Sequence, residues 1–258
     1  MAYGGIEIPL HTLYNTTIEL NKLIPMNNSN NSEINSPDFE LANRQRIEII
    51  RKEFEKGFGF LKEHPLSVTI FGSSQFQEGN FYYEHARQLA QKIVRKLSYA
   101  ILTGGGPGIM EAANRGAMEA GGSSLGLTID IPSEQATNKY LTEEVNFYYF
   151  FTRKVCLSFA AEAYIFYPGG FGTLDECFEI LTLVQTGKIH SVPIILVGKK
   201  YWRKFDKLIK KQLAGKFKTI EDDDTELYKI TDDMDEIIRI ISNAPVREGL
   251  KCCGEDLI

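Results

Sequence analysis

The sequence predicts an α/β fold: a doubly wound parallel sheet with helices on both faces, preceded by an N-terminal helical extension. Short runs of apolar, β-favouring residues alternate with longer segments whose apolar residues recur at helical spacing, and that alternation calls for parallel strands joined by crossover helices. Three of the runs, ending at Phe71, Thr103 and Tyr167, stop at turns rich in glycine or serine; in a parallel sheet these turns share the carboxyl edge, where ligands bind. The chain is 43% hydrophobic and 24% charged over 258 residues, a globular composition long enough to bury a full core.

Residues 1–26 mix apolar and polar positions without a period, and Asn27–Ser36, with five asparagines, reads as a mobile linker. Ser36-Pro37-Asp38 is a helix start. Beyond it Ile47, Ile50, Phe54, Phe58 and Leu61 form one face of a helix that must dock on the main domain or on a partner chain. The division expected is therefore an extension over 1–65 and a main domain over 66–258.

In that domain Ser67–Phe71 is a first strand ending in Gly72-Ser73-Ser74, followed by a helix carrying Ala86, Leu89, Ala90, Ile93, Val94 and Leu97 on one face. Tyr99–Thr103 is a second strand, running into Gly104-Gly105-Gly106-Pro107-Gly108. Pro107 suits a first helical turn, and the helix continues over Ile109–Ala120. Ser124–Ile129 is a third strand with Asp130 at its end. Residues 131–145 read as an irregular loop, and the aromatic run Asn146–Phe151 leads into Arg153-Lys154 and a helix through Ala161. Ala163–Tyr167 is a buried strand, and Thr173 opens a helix with Leu174, Phe178, Leu181 and Val184 at helical spacing. A strand over Pro193–Val197, a helix over Tyr201–Leu213 and a last helix over Asp232–Ser242 complete the chain.

Net charge is −5 without a basic block, which argues against general nucleic-acid or anionic-membrane binding. No apolar run reaches spanning length, and Asn15, Glu19 and Lys22 interrupt any signal-peptide pattern, so the expected location is cytoplasmic. Cys156, Cys177, Cys252 and Cys253 form no C-x-x-C pair and no disulfide-like framework. His11, His64, His85 and His190 lie outside every turn. With no clustered His or Cys, neither a metal site nor a cofactor is expected.

The chemistry concentrates in Ala163–Gln185. Gly169, Gly170 and Gly172 join a strand to a helix start, where free N–H groups and the positive dipole end favour an anion, and Glu176 sets a carboxylate beside it. Thr173-x-x-Glu176 is also the spacing of a capping box, in which both side chains satisfy the helix's own N–H groups; that alternative stays open. Gly104–Gly108 is neither a dinucleotide fingerprint, since Ile109 stands at the third glycine position, nor a Walker A loop. It is a turn that admits close approach by a ligand such as a mononucleotide. Arg153 and Lys154 head a helix, where cations oppose the dipole unless an anion lies near; Glu111 suits its helix start with or without a function.

The segments Gly104–Ala112, Arg153-Lys154 and Pro168-Gly169-Gly170-Phe171-Gly172-Thr173-Leu174-Asp175-Glu176 together resemble the LOG ("lonely guy") family of phosphoribohydrolases, many once labelled lysine decarboxylases. The resemblance runs from about Leu66 to the C-terminus. It implies a Rossmann-like sheet and hydrolysis of the N-glycosidic bond of a nucleoside 5′-monophosphate, AMP or a cytokinin riboside 5′-monophosphate, to free base and ribose 5-phosphate. It further implies Arg153 and Glu176 as catalytic residues, a phosphate turn at Gly169, Gly170, Gly172 and Thr173, nucleotide contacts at Gly72 and Ser73, and a homodimer or larger oligomer. Gly104, Gly105, Gly106, Glu111 and Lys154 join the expected substrate-binding set. Compact plant-type members carry glycine at the position of Glu111 and lack a counterpart of residues 1–65. A nucleotide or molybdenum-cofactor carrier on the same fold is the alternative, and it would need the phosphate turn but not the carboxylate.

Overall fold

A computed structural model describes residues 37–129 and 137–246. The linker Asn27–Ser36, Asp130 and the Cys252-Cys253 pair lie outside these residues. The chain divides into two compact units, Met1–Ile47 and Glu48–Ile258. Of the first, the described part is the opening of helix α1 (Pro37–Glu63), where Arg44 and Glu40 form an exposed ion pair one turn apart.

The second unit holds a seven-stranded, wholly parallel sheet in the order β4-β3-β2-β1-β5-β6-β7. The strands are β1 (Ser67–Phe71), β2 (Ala100–Thr103), β3 (Ser124–Ile129), β4 (Glu143–Phe147), β5 (Ala163–Phe166), β6 (Ile194–Leu196) and β7 (Lys229–Ile230). Helices α2 (Phe81–Leu97), α3 (Ile109–Glu119) and α7 (Met234–Asn243) bury one face, against Val68, Ile70, Ile101, Ala163, Ile165 and Ile195. On the other face α4 (Phe150–Ser158), α5 (Phe171–Gln185) and α6 (Lys199–Leu208) meet Leu102, Leu125, Leu127, Tyr164, Phe166 and Leu196. Successive residues of β5 and β6 thus serve opposite cores, which is why these strands read as unbroken apolar runs rather than as alternation. The later turns of α1, which belong to the second unit, join the second core through Phe54, Phe58 and Leu61.

Four details depart from the expected elements. Of the loop expected over 131–145, residues 131–136 lie outside the described residues, and the last three belong to β4, paired to β3 from Leu125–Glu143 to Ile129–Phe147. It is an edge strand with only Val145 and Phe147 turned inward, so it lacks the apolar density that marks a central strand. Strand β7, two residues long, carried too little pattern to be read. Helix α6 starts at Lys199 and runs on into wider π-helical turns over Ile209–Phe217. Helix α5 starts at Phe171, two residues before Thr173, with consequences described next.

Chain order reverses at β1: its own connection runs outward through α2 to β2, while β5, its other neighbour, leaves through α5 on the opposite face. Helices diverging from adjacent strands leave a crevice at their carboxyl ends, the position at which α/β sheets bind ligands.

Candidate active site

A cleft of about 390 Å³ occupies that crevice. Its lining brings together Gly72 and Ser73 after β1, Gly104, Gly105 and Gly106 after β2, Arg153 from α4, and Gly170, Gly172, Thr173 and Glu176 from α5. A hollow of about 550 Å³ opens at the opposite edge, beside the strand starts at Leu66, Ala100 and Ser123, and contains none of the turns. The chemistry lies in the smaller space.

Backbone hydrogen bonds lace the three turns together. Ser73 N–H donates to the Pro168 carbonyl at 3.0 Å, and Ile109 N–H donates to the Ser73 carbonyl at 3.0 Å. Gly108, the N-cap of α3, holds φ at +72° directly against the Ser73 carbonyl, a place and a conformation closed to a side chain. Pro107 therefore precedes the helix rather than opening it. At Gly104 a Cβ would strike the Arg153 guanidinium, whose Nε donates to the Leu127 carbonyl at 2.6 Å and whose Nη2 lies 3.4 Å from the Gly104 carbonyl. Position 104 is glycine because an arginine crosses it.

A buried polar network fixes the same turn from below. Asn114 accepts from Thr103 Oγ1 (2.7 Å) and Asn138 Nδ2 (3.0 Å), and donates to Ser124 Oγ (3.0 Å). Asn138 Nδ2 also reaches the carbonyls of Gly105 and Gly106, at 3.0 and 3.1 Å. Every polar atom of both amides is engaged, which specifies one geometry.

At α5 the N-cap is Gly170, and among the described residues no side chain caps the helix. A capping box would need Thr173 at the N-cap; it lies instead three residues in, with Glu176 on the second turn. Glu176 therefore does not satisfy the helix start. It is 8% exposed, its Oε2 is buried without a hydrogen-bond partner among the described residues, and burial pushes its pKa from 4.5 up to about 7, against the pull of Lys154 and Arg153. A buried carboxylate oxygen without a partner costs stability and points to a role outside the fold itself. Added Cβ atoms at Gly170 and Gly172 would meet nothing within 4 Å, so the helix start faces open space.

Three of the candidates lie away from the cleft. Lys154 turns to Asp175 (2.7 Å) and Glu179 (3.3 Å). Glu111 accepts from the Tyr83 hydroxyl at 2.8 Å. Gly169 packs on Thr173, and its carbonyl accepts from Tyr201 at 2.7 Å, which makes it part of the turn's support. Met110, Thr128, Thr137, Phe150 and Asp175 line the cleft without having been singled out in the sequence. Asn114, a polar residue on the apolar face of α3, was the one visible signal of the network. His64, His85 and His190 lie outside the cleft, His85 held by the Tyr167 hydroxyl (2.8 Å) and the Asp232 carbonyl (3.0 Å). Among the described residues no three His, Cys, Asp or Glu converge as metal ligands, and no helix is long and apolar enough to cross a membrane.

A family model described as "Possible lysine decarboxylase" matches residues 110–241, about half of the chain. A cytokinin riboside 5′-monophosphate phosphoribohydrolase of Rhodococcoides fascians is 30% identical over 144 residues, which cover 54% of this chain and 71% of that protein. The chain belongs to this family, the LOG family. A cytokinin riboside 5′-monophosphate phosphoribohydrolase of Arabidopsis thaliana is 27% identical over 153 residues, 59% of this chain and 62% of its own length. Among solved structures, the molybdenum cofactor carrier protein of Chlamydomonas reinhardtii superposes with a TM-score of 0.50 at 19% identity, over 69% of this chain and 96% of that one. At that identity the likeness shows a shared fold and no more. The LOG segments matched here span the glycine turn after Pro168, Arg153 and Glu176.

Proposed function

We propose that the chain hydrolyses the N-glycosidic bond of a nucleoside 5′-monophosphate, AMP or a cytokinin riboside 5′-monophosphate, giving free base and ribose 5-phosphate. The observation that carries this is Glu176: a buried carboxyl with an unpartnered oxygen, lining a cleft beside an uncapped helix start. Phosphate would take the N–H groups at Gly170–Thr173, where the dipole is positive and no side chain competes. As the base leaves, positive charge grows on the ribose, and an ionised Glu176 stabilises it. As the C1′–N bond breaks and the water oxygen bonds to C1′, the same carboxylate takes a proton from that water, and the departing base nitrogen takes one from solvent. Arg153, anchored on the β3 and β2 carbonyls, brings fixed positive charge to the substrate's anionic end. A carboxyl raised to about 7 is ionised in half the molecules at neutral pH and is a stronger base than an exposed one. The names of the Rhodococcoides and Arabidopsis relatives support the substrate class.

The decarboxylase description is less well supported, because no lysine lines the cleft among the described residues and Lys154 is engaged by two carboxylates. Base release from AMP, isoprenylated AMP and adenosine tests the proposal, with Glu176→Gln and Arg153→Ala beside the wild type. Wild type should cleave the nucleotides and leave adenosine nearly untouched, and each variant should lose at least ~100-fold. Binding of nucleotide without cleavage would move the chain to the carrier reading; equal cleavage of adenosine would remove the phosphate from the mechanism.

A further inference from the structure

Helix α4 carries Arg153, yet its N-terminus has no cap of its own: the N-cap is Tyr149, whose side chain makes no capping bond. Placing Arg153 four residues into the helix also loads positive charge near the positive dipole end. Both deficits are met from another part of the chain. Glu53, half-buried on α1, accepts from the Tyr148 N–H and from the Tyr149 N–H at 3.3 Å, and lies 2.6 Å from the Thr152 hydroxyl, whose one hydrogen it shares with the Tyr149 carbonyl at 2.7 Å. One turn further on, Gly57 faces α4 so closely that a Cβ there would come within 2.5 Å of Cys156 Sγ and 2.9 Å of Phe147. Phe58 then meets Phe159 edge-on at 6.0 Å. Contacts at the start, middle and end of α4 thus come from successive turns of α1.

We propose that Glu53 is a positioning residue: through the N-terminus of α4 it sets where Arg153 stands over the β2 turn, and α1 is thereby a working part of the site. Nine residues are too few for a helix to hold itself in water, so α4 takes its stability and its register from what grips it. Its inner surface rests on the sheet; the N–H groups of Tyr148 and of the N-cap Tyr149, which lead into its first turn, rest on Glu53. Arg153 in turn has little latitude, because Nε must reach the Leu127 carbonyl while the guanidinium passes over Gly104. Fraying at Tyr149–Thr152 would move the arginine out of that passage. The proposal rests on the reading above that Arg153 meets the substrate.

The test is a double-mutant cycle in the full chain: Glu53→Ala and Glu53→Gln, each alone and combined with Arg153→Ala, with amide exchange over 149–153 measured in parallel. Glu53→Ala should accelerate exchange in that segment and lower kcat/KM for AMP at least tenfold, about 1.4 kcal/mol. Glu53→Gln, whose amide oxygen still accepts from the same N–H groups, should recover part of the loss. In the Arg153→Ala background the Glu53 substitutions should cost less than twofold. Should Glu53→Ala not fold, Glu53→Gln carries the same comparison. If the wild type binds AMP without releasing base, the hydrolase reading fails, and the cycle read on AMP affinity still decides the role of Glu53. A loss under twofold, an equal loss with and without Arg153, or no AMP binding by the wild type would overturn it.

Discussion

Replacing Glu176 by glutamine separates the chemistry of the site from its stability. In the fold the carboxyl is 8% exposed and its pKa stands near 7, against an ordinary 4.5, with burial the main cause. A carboxyl whose folded pKa is raised holds its proton more tightly in the fold than in the unfolded chain, so the fold is penalised for the ionised form. That penalty is complete above about pH 7, shrinks as the pH falls through 7, and is gone below the unfolded value of 4.5. A rise from 4.5 to about 7 corresponds to ~3 kcal/mol. Glutamine has nearly the same shape and never ionises, and its amide meets the same missing partner as the protonated acid. At pH 8.5 the variant should therefore be the more stable protein by up to ~3 kcal/mol, or ~6–12 °C in Tm for a chain of this size, with the gap closing towards pH 5. Base release should fall at least ~100-fold over the same range. Thermal unfolding from pH 5 to 8.5 beside the release assay makes the check. A capping role predicts the opposite sign, a loss of ~1 kcal/mol. A variant less stable at pH 8.5, or a difference that ignores pH, would refute the assignment of Glu176 to the substrate rather than to the helix.

Gly104→Ala should displace the Arg153 guanidinium and reduce kcat/KM at least ~10-fold; unchanged turnover would mean that the arginine's passage over the turn does not matter. Gly172→Ala meets no atom within 4 Å, so Tm should hold or rise slightly while KM for AMP increases; a constant KM would place the phosphate elsewhere. Asn114→Ala should cost ~3 kcal/mol, seen as a lower denaturation midpoint, because Thr103, Asn138 and Ser124 lose their buried partner. The wild type's kcat/KM should rise with pH to a plateau, its midpoint near 7 reporting Glu176; a midpoint near 4.5 would show a carboxyl exposed in the free enzyme.

The parts legible in the sequence are those where one side chain per residue decides the outcome. Ile101, Leu102, Ile165 and Phe166 stand in unbroken apolar runs because both faces of the sheet are covered, and the glycine turns after Thr103 and Tyr167 announce themselves by composition. The crevice followed from these, since parallel strands place their carboxyl ends together. Edge strands escaped: Glu143–Phe147 pairs on one side only, and its exposed glutamates mask the two residues that hold it. Also unreadable were contacts between residues distant in sequence, such as Glu53 with Thr152 and Asn138 with Gly105, because no local pattern encodes a meeting of separate segments.

Thr173 and Glu176 show where spacing alone reaches its limit. Thr-x-x-Glu fits a cap and a site equally well, and the helix start decides between them. That start is set by the backbone at Gly170, extended at φ −88°, ψ −157°, with the helix beginning at the exposed Phe171. Moving the start back by two residues frees both side chains from capping: Thr173 fills the space under Gly169, and Glu176 turns into the crevice beside Arg153. The same shift leaves the first N–H groups of the helix without a side-chain acceptor, next to two glycines that leave room for one. A helix that caps itself would have closed this site; this one leaves the place for an anion and sets a carboxylate one turn behind it.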